Sequence, residues 1–215
     1  MNESAPTVLV IDDDPSVLKS LARLLRSSEV NVATFASPQE FLDQFEPVIH
    51  GCLVLDIAMP NFNGLELQQE LAARGNELPV IFLTGHGDIP MSVQAMKQGA
   101  IDFLTKPVHD QDLIEAIHAA IETNRMNRRA HAELNEIRKK LSTLTPRERE
   151  VLDHVVSGRL NKQIAADLGT VEKTIKVHRA HLMTKLKVRS LADLVRLAER
   201  AGIMSIAPNR NDCQT

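Results

Sequence analysis

The chain has 215 residues with 25 Lys+Arg against 28 Asp+Glu, enough for one large domain or two small ones. Two cysteines, Cys52 in an apolar run and Cys213 in a polar tail, exclude a disulfide-stapled fold. The absence of a signal peptide or an apolar run of about 18 residues argues against a membrane partner, so a cytoplasmic protein with reduced thiols is expected. Residues 1–124 hold 6 Lys+Arg and 18 Asp+Glu, net −12, and residues 125–215 hold 19 and 10, net +9, so either only the second half meets a polyanion or the two halves attract each other.

In chain order, residues 7–11 read as a strand, and Asp14-Pro15 caps and opens a helix with Val17, Leu18, Leu21, Leu24 and Leu25 on its apolar face. A second strand, 31–35, precedes Ser37-Pro38 and a helix carrying Phe41, Leu42 and Phe45. Residues 52–55 form the near-continuous apolar run of a central parallel strand. Asn63-Gly64 turns into a helix with Leu65, Leu67 and Leu71. Residues 79–83 are the fourth strand, 89–98 the fourth helix, closed by Gly99, and 101–104 the fifth strand. Five such units predict a doubly wound α/β domain, a five-stranded parallel sheet in the order 2-1-3-4-5.

No glycine or proline occurs from 108 to 145. Leu113, Ile114, Ile117 and Ile121 pack the start of this stretch. Asn124, Asn127, Arg128, Arg129 and His131 make its middle polar, and apolar periodicity returns at Leu134, Ile137 and Leu141. The pattern predicts a final helix that extends into a solvated helical linker. A continuous coiled coil fits less well, because Asn124, Asn127 and His131 would fall on its seam.

The second half reads as four helices, 146–156, 161–168, 172–185 and 191–201. Thr145 and Glu148 form a capping box, Asn161 is expected to cap the second helix and Thr170 the third, and Gly158 and Gly169 punctuate. The eight histidines show no metal-ligand spacing, and all six phenylalanines lie in the first half, without any Trp or Tyr in the chain. A basic domain without aromatic rings offers no stacking platform for single strands, which favours double-stranded DNA. The expected organisation is an α/β domain over 6–122, a helical linker over 123–141, an all-α four-helix domain over 142–202 and a flexible tail over 203–215.

Polar residues follow the apolar runs: Asp12-Asp13, Asp56, Thr84 and Lys106. Parallel strands would bring all of them to one sheet edge, where open α/β folds place their ligands. Read singly, the aspartates near Asp14 are helix caps, Thr84 a turn residue and Lys106 a surface charge. Jointly they make sense as a divalent-cation site with an anion beside it, because crowded carboxylates repel.

Ile11-Asp12-Asp13, Leu55-Asp56-Ile57-Ala58-Met59-Pro60 followed by Gly64, Thr84-Gly85 and Lys106-Pro107 occur in that order. Through them, residues 6–124 resemble the receiver domain of bacterial response regulators. The resemblance implies that Asp56 takes a phosphoryl group from a sensor histidine kinase. It implies Mg²⁺ on Asp13 and Asp56 directly, on Asp12 through water, and on the backbone carbonyl of Ala58. Lys106 and Thr84 would stabilise the transferred oxygens, Gly85 would leave room for them, and Lys106-Pro107 would be cis. Phe103 matches the family's switch aromatic, although it also reads as plain core. It would turn inward as Thr84 moves, making the face of 89–98, 101–104 and the start of the last helix a surface for homodimerisation. Haloacid dehalogenase-like phosphatases also form aspartyl-phosphate, but they need an acid two residues after the nucleophile. Position 58 is Ala, so slow self-dephosphorylation is the only hydrolysis expected, and the chain is not expected to be an enzyme.

Leu144-Thr145-Pro146-Arg147-Glu148, Gly158, Asn161-Lys162-Gln163-Ile164-Ala165, Leu168-Gly169, Thr174-Ile175-Lys176-Val177-His178 and Lys185-Leu186 make residues 142–202 similar to the LuxR-type helix-turn-helix domain. The pair of domains resembles the FixJ/NarL class, and Gly85-His86-Gly87-Asp88-Ile89-Pro90 with the long linker leans toward FixJ-like and styrene-sensing members. Helical projection turns Val171, Ile175, His178, Leu182 and Leu186 inward and Lys173, Lys176, Val177, Ala180 and Thr184 toward a major groove. Lys162 is placed for backbone contact, and Arg179 for a phosphate or an intradomain acid. The bland alternative is a solvated charged face. The resemblance implies a dimer on dyad-symmetric promoter DNA, RNA polymerase as a partner and transcriptional activation. A phosphorelay or docking receiver whose basic half binds RNA or protein is the alternative.

Overall fold

The computed structural model describes residues 5–28, 30–44, 50–85 and 89–203. Phe45, His86, Gly87, Asp88, Cys213 and the expected tail from 204 onward lie outside the described residues. The chain divides into two compact units between Arg128 and Arg129.

The first unit runs β1 (Thr7–Ile11), α1 (Pro15–Ser27), β2 (Asn31–Phe35), α2 (Pro38–Gln44), β3 (Gly51–Leu55), α3 (Gly64–Ala73), β4 (Val80–Thr84), α4 (Ile89–Lys97), β5 (Asp102–Thr105) and the first part of α5 (Asp110–Ser142). Its five strands are parallel, in the order β2-β1-β3-β4-β5. Alternation along each strand separates two cores. Leu9, Ile11, Leu53, Leu55 and Phe82 pack with Phe41, Leu67, Leu71 and Ala95 from α2, α3 and α4. Val8, Val10, Cys52, Val54, Ile81 and Leu83 pack with Leu21 and Leu25 of α1 and Leu113 and Ile117 of α5. Burial pushes the Cys52 thiol up to about 12, which leaves it an inert core group.

Helix starts follow the sequence. The Asp14 side chain accepts the Ser16 N–H at 2.7 Å, and Asn63 and Glu66 form a reciprocal capping box around the start of α3. Gly64 permits α3 to abut the end of β3: a Cβ there would stand 2.3 Å from the Asp56 carbonyl oxygen. β4 runs one residue further than the sequence pattern suggests, because Thr84 pairs with Thr105 and its carbonyl accepts the Lys106 N–H at 2.8 Å.

The stretch expected as a solvated linker is shared between the units. Asn124, read as part of a polar middle, is buried, and its Oδ1 accepts the Gly51 N–H at 3.3 Å. The side chain therefore satisfies a backbone donor at the start of β3 that would otherwise be orphaned. At the other end of α5, Ile137 and Leu141 belong to the core of the second unit, packed with Val151, Leu152, Ile164, Ile175, Leu182, Leu186 and Leu194. Arg149 Nη2 donates to the Leu141 carbonyl at 3.1 Å and Lys185 Nζ to the Thr143 carbonyl at 3.2 Å. These cations sit on carbonyls at and just past the end of α5, where positive charge is favoured.

The second unit continues with α6 (Pro146–Val156), α7 (Asn161–Asp167), α8 (Glu172–Leu186) and α9 (Leu191–Arg200). The Thr145–Glu148 capping box forms as the sequence predicts. Two other caps differ. The N-cap of α7 is Leu160, whose N–H donates to Gln163 Oε1 at 2.9 Å, and that of α8 is Val171. Asn161 and Thr170 are thus displaced from capping by one residue each. Val171, expected inside, is 65% exposed for the same reason: it precedes the helix instead of lying on its buried face.

Candidate functional site

The C-terminal ends of β1, β3, β4 and β5 bring Asp12, Asp13, Asp56, Thr84 and Lys106 to one edge of the sheet. One carboxylate oxygen from each of Asp12, Asp13 and Asp56 can be chosen so that all three lie within 4.8 Å of one another. Asp12, Asp56 and Thr84 are buried and Asp13 is exposed, so the cluster opens to solvent on the Asp13 side. Lys106 Nζ bridges the two buried acids, 2.5 Å from Asp12 Oδ2 and 3.2 Å from Asp56 Oδ2. The Asp14 N–H donates to Asp12 Oδ1 at 3.0 Å and the Ala58 N–H to Asp56 Oδ1 at 3.4 Å. Lys106-Pro107 is cis.

The electrostatics are those of a site short of positive charge. Burial raises the Asp12 carboxyl above its usual range, and the Asp56 charge adds to that. The Lys106 and Asp14 hydrogen bonds oppose it without cancelling it. Burial alone would lower the Lys106 ammonium, but its bonds and charge contacts with Asp12 and Asp56 outweigh that and raise it. Lysine is therefore held as a fixed cation, and one cation faces three carboxylates. Oxygen-only donors at this spacing suit a hard divalent ion such as Mg²⁺. Phe103, half-buried on β5, is tilted against Phe82 with ring centroids 6.5 Å apart. A Cβ at Gly85 would meet open space.

In the second unit, Ile175, Leu182 and Leu186 bury one side of α8, with His178 half-buried beside them. Lys173, Lys176, Val177, Ala180 and Thr184 are all exposed, and so is Lys162 near the start of α7. Lys176 Nζ reaches Glu172 at 2.9 Å, one turn back on its own helix, an exposed pairing that leaves the ammonium available. Arg179 donates to Asn161 Oδ1 at 3.0 Å, joining α8 to the first turn of α7. Sequence reasoning also read Glu148 only as a capping residue. Its Oε2 lies 2.6 Å from Lys185 Nζ, and chiefly that bond, with the Thr145 N–H, holds its carboxyl down at about 2. Neither partner was legible, since each pairing joins residues on different helices.

Residues 8–118 match the response regulator receiver domain family, and residues 142–198 match the luxR family of bacterial regulatory proteins. Nodulation protein W of Bradyrhizobium diazoefficiens is 47% identical over 196 residues, which cover 91% of this chain and 86% of that protein. The transcriptional regulatory protein FixJ of Azorhizobium caulinodans is 47% identical over 203 residues, 94% and 96% of the two chains. Among solved structures, the response regulator StyR superposes with a TM-score of 0.83 at 48% identity, covering 92% of this chain and 100% of that one. Full-length FixJ from B. japonicum gives 0.57 at 40% identity, covering 94% and 100%. Proteins of this kind are transcription factors and not enzymes. The chain belongs to the response regulators of two-component systems, in the class that joins a receiver domain to a luxR-type DNA-binding domain and regulates transcription.

Proposed function

We propose that Asp56 accepts a phosphoryl group from the phosphohistidine of a sensor histidine kinase, and that this gates dimerisation and binding to dyad-symmetric promoter DNA. The observation that carries the reading is the cluster of three carboxylates within 4.8 Å with the Lys106 ammonium set between two of them. Mg²⁺ fits this donor set, held by Asp12, Asp13, Asp56 and the backbone carbonyl of Ala58. When bound it supplies the charge that lets an anionic nucleophile meet an anionic donor.

An Asp56 carboxylate oxygen attacks phosphorus, the phosphorus–nitrogen bond to the donor imidazole breaks, and the imidazole leaves with the electron pair. Lys106 then exchanges carboxylate contacts for the new phosphoryl oxygens, and the Thr84 hydroxyl donates to them. Phe103 fills the space that Thr84 vacates. The face that then receives a second copy includes Ile89, Val93 and Met96, three exposed apolar side chains along one side of α4, and their number on so short a helix supports an interface there. Phosphorylation gates assembly to the extent that it favours the dimer-competent state over the other.

On DNA, Lys173, Lys176, Val177 and Ala180 read the major groove, Lys176 donating to guanine O6/N7 and Val177 or Ala180 touching a thymine methyl. Lys162 contacts the backbone and positions without specifying. The regulator acts in the cytoplasm, with RNA polymerase as its downstream partner and activation as its output. Among the described residues no helix is long and apolar enough to cross a membrane.

Intact-mass measurement with a small-molecule phosphoramidate and Mg²⁺ tests the acceptor. Wild type is expected to gain one phosphoryl group and Asp56→Ala none. Phe103→Ala is expected to gain the group yet stay monomeric in light scattering. Phosphorylation of Asp56→Ala, or an unaltered dimerisation response in Phe103→Ala, would refute the corresponding step.

A further inference from the structure

The exposed stripe on α8 does not stop at Thr184. Lys173, Lys176, Ala180 and Thr184 follow one another at three- and four-residue steps, the spacing of a single helix face, and Lys187 comes directly after the last helical residue. Lys187 closes α8 in the left-handed conformation, φ 55°, and is exposed. The last turn of α5 lies in the same unit and presents Lys139 and Lys140. Glu136 connects the two places. It pairs with Lys139 at 3.0 Å, and its carboxyl is held down chiefly by that bond, with Lys140 and Lys187 adding to the field. Lys139 thus touches this exposed carboxylate, and the bond from Lys185 to the Thr143 carbonyl brings the end of α8, which Lys187 closes, beside the end of α5. Lys185, the remaining cation of the last turn of α8, is already committed to Glu148 and the Thr143 carbonyl.

These lysines are not on a swinging arm. Ile137 and Leu141 are buried in the core that also holds Ile175, Leu182 and Leu186, and Arg149 and Lys185 tie down the Leu141 and Thr143 carbonyls. The end of α5 therefore moves with α8. A helix of 15 residues is about 22 Å long, while the major groove is about 12 Å wide. Where α8 crosses the groove, one end overshoots toward the flanking phosphates. The C-terminal end carries the negative pole of the helix dipole and needs cations to approach a phosphate.

We propose that Lys139, Lys140 and Lys187 form a second cationic contact that grips the DNA phosphates flanking the groove read by α8, so that the end of α5 is part of the DNA-binding surface. The inference rests on the reading of α8 as the DNA-contacting helix. The contact is sequence-independent: it adds affinity and salt sensitivity to every duplex and no discrimination between them.

The test is a salt titration of binding by the full chain, activated with Mg²⁺ and beryllofluoride, to a duplex first selected for binding from fragments of the source genome and to a scrambled duplex of the same composition. The variants are the triple change Lys139→Gln, Lys140→Gln, Lys187→Gln and the single change Glu136→Gln, with circular dichroism melts checking that each folds. The triple variant is expected to flatten the slope of log K against log salt by roughly 1 to 3 and to leave the ratio of site to scrambled affinity unchanged. Glu136→Gln, which removes only the competing carboxylate, is expected to tighten binding to both duplexes. An unchanged slope in the folded triple variant, with wild type binding its site normally, overturns the contact. A lost site preference would instead assign these lysines to base reading, which also overturns it. Failure of wild type to bind any duplex would refute the underlying DNA-binding reading instead.

Discussion

Replacing Ile137 by alanine asks whether the end of α5 belongs to the DNA-binding unit or is a spacer leading to it. Ile137 is 8% exposed and packs in the second core. Truncating a buried isoleucine to alanine costs about 2–5 kcal/mol, the spread reflecting how far neighbours collapse into the gap. Ile137 stands at the rim of its core, and alanine returns a few tenths of a kcal/mol in helix propensity, so the lower part of that range, about 2–3 kcal/mol, is expected. In a unit of this size each kcal/mol moves the midpoint by roughly 4–8 °C, giving a drop of about 10–20 °C in the transition of the second unit. The chain has neither Trp nor Tyr, so calorimetry is the suitable probe, with hydrogen exchange of α6 and α8 amides assigning the transition. Asn135→Ala, exposed on the same helix, is the control and should change stability by less than about 0.5 kcal/mol. If Ile137→Ala behaves like Asn135→Ala, residues 129–141 are a spacer and the packing argument is wrong.

Other expectations follow from single contacts. The Glu148 carboxyl is depressed from 4.5 to about 2 in the folded chain, so it stabilises the second unit fully above pH 4.5 and loses that contribution as pH falls toward 2. Glu148→Gln should therefore destabilise at neutral pH by an amount that shrinks on acidification through that window; a gap independent of pH would discard the Lys185 pairing as its cause. Gly64→Ala places a methyl group 2.3 Å from the Asp56 carbonyl oxygen and should cost the first unit about 1–3 kcal/mol, read as a lower calorimetric midpoint; an unmoved midpoint would mean that the start of α3 yields freely. Lys176→Ala should weaken binding by about 1–3 kcal/mol and relax preference at one base pair. Equal weakening on every sequence, in a binding assay across site variants, would make Lys176 a phosphate contact.

The receiver fold was legible because its signals are local. Each strand is an apolar run ended by a polar residue, and parallel topology carries those ends to one edge, so Asp12, Asp13, Asp56, Thr84 and Lys106 could be grouped before any coordinates. The caps at Asp14 and Thr145 were legible for the same reason, since donor and acceptor lie within three residues. The misread positions depend on distant partners. Asn124 looked solvated because nothing nearby in sequence indicates the Gly51 N–H, 73 residues away. Asn161 has the chemistry of a cap, but its side chain is taken by Arg179, 18 residues on, while Gln163 satisfies the Leu160 N–H from within the helix. The return of apolar periodicity at Ile137 and Leu141 was visible, yet periodicity shows that a face is buried and does not name what buries it.

The central claim is that phosphorylation of Asp56 gates DNA binding. Its most direct test selects bound fragments from the source genome with wild type and Asp56→Ala, each with Mg²⁺ and with or without beryllofluoride. The account predicts enrichment of a dyad-symmetric site by activated wild type alone. Equal enrichment in all four samples would show DNA binding that Asp56 does not gate, and no enrichment in any would contradict promoter recognition itself.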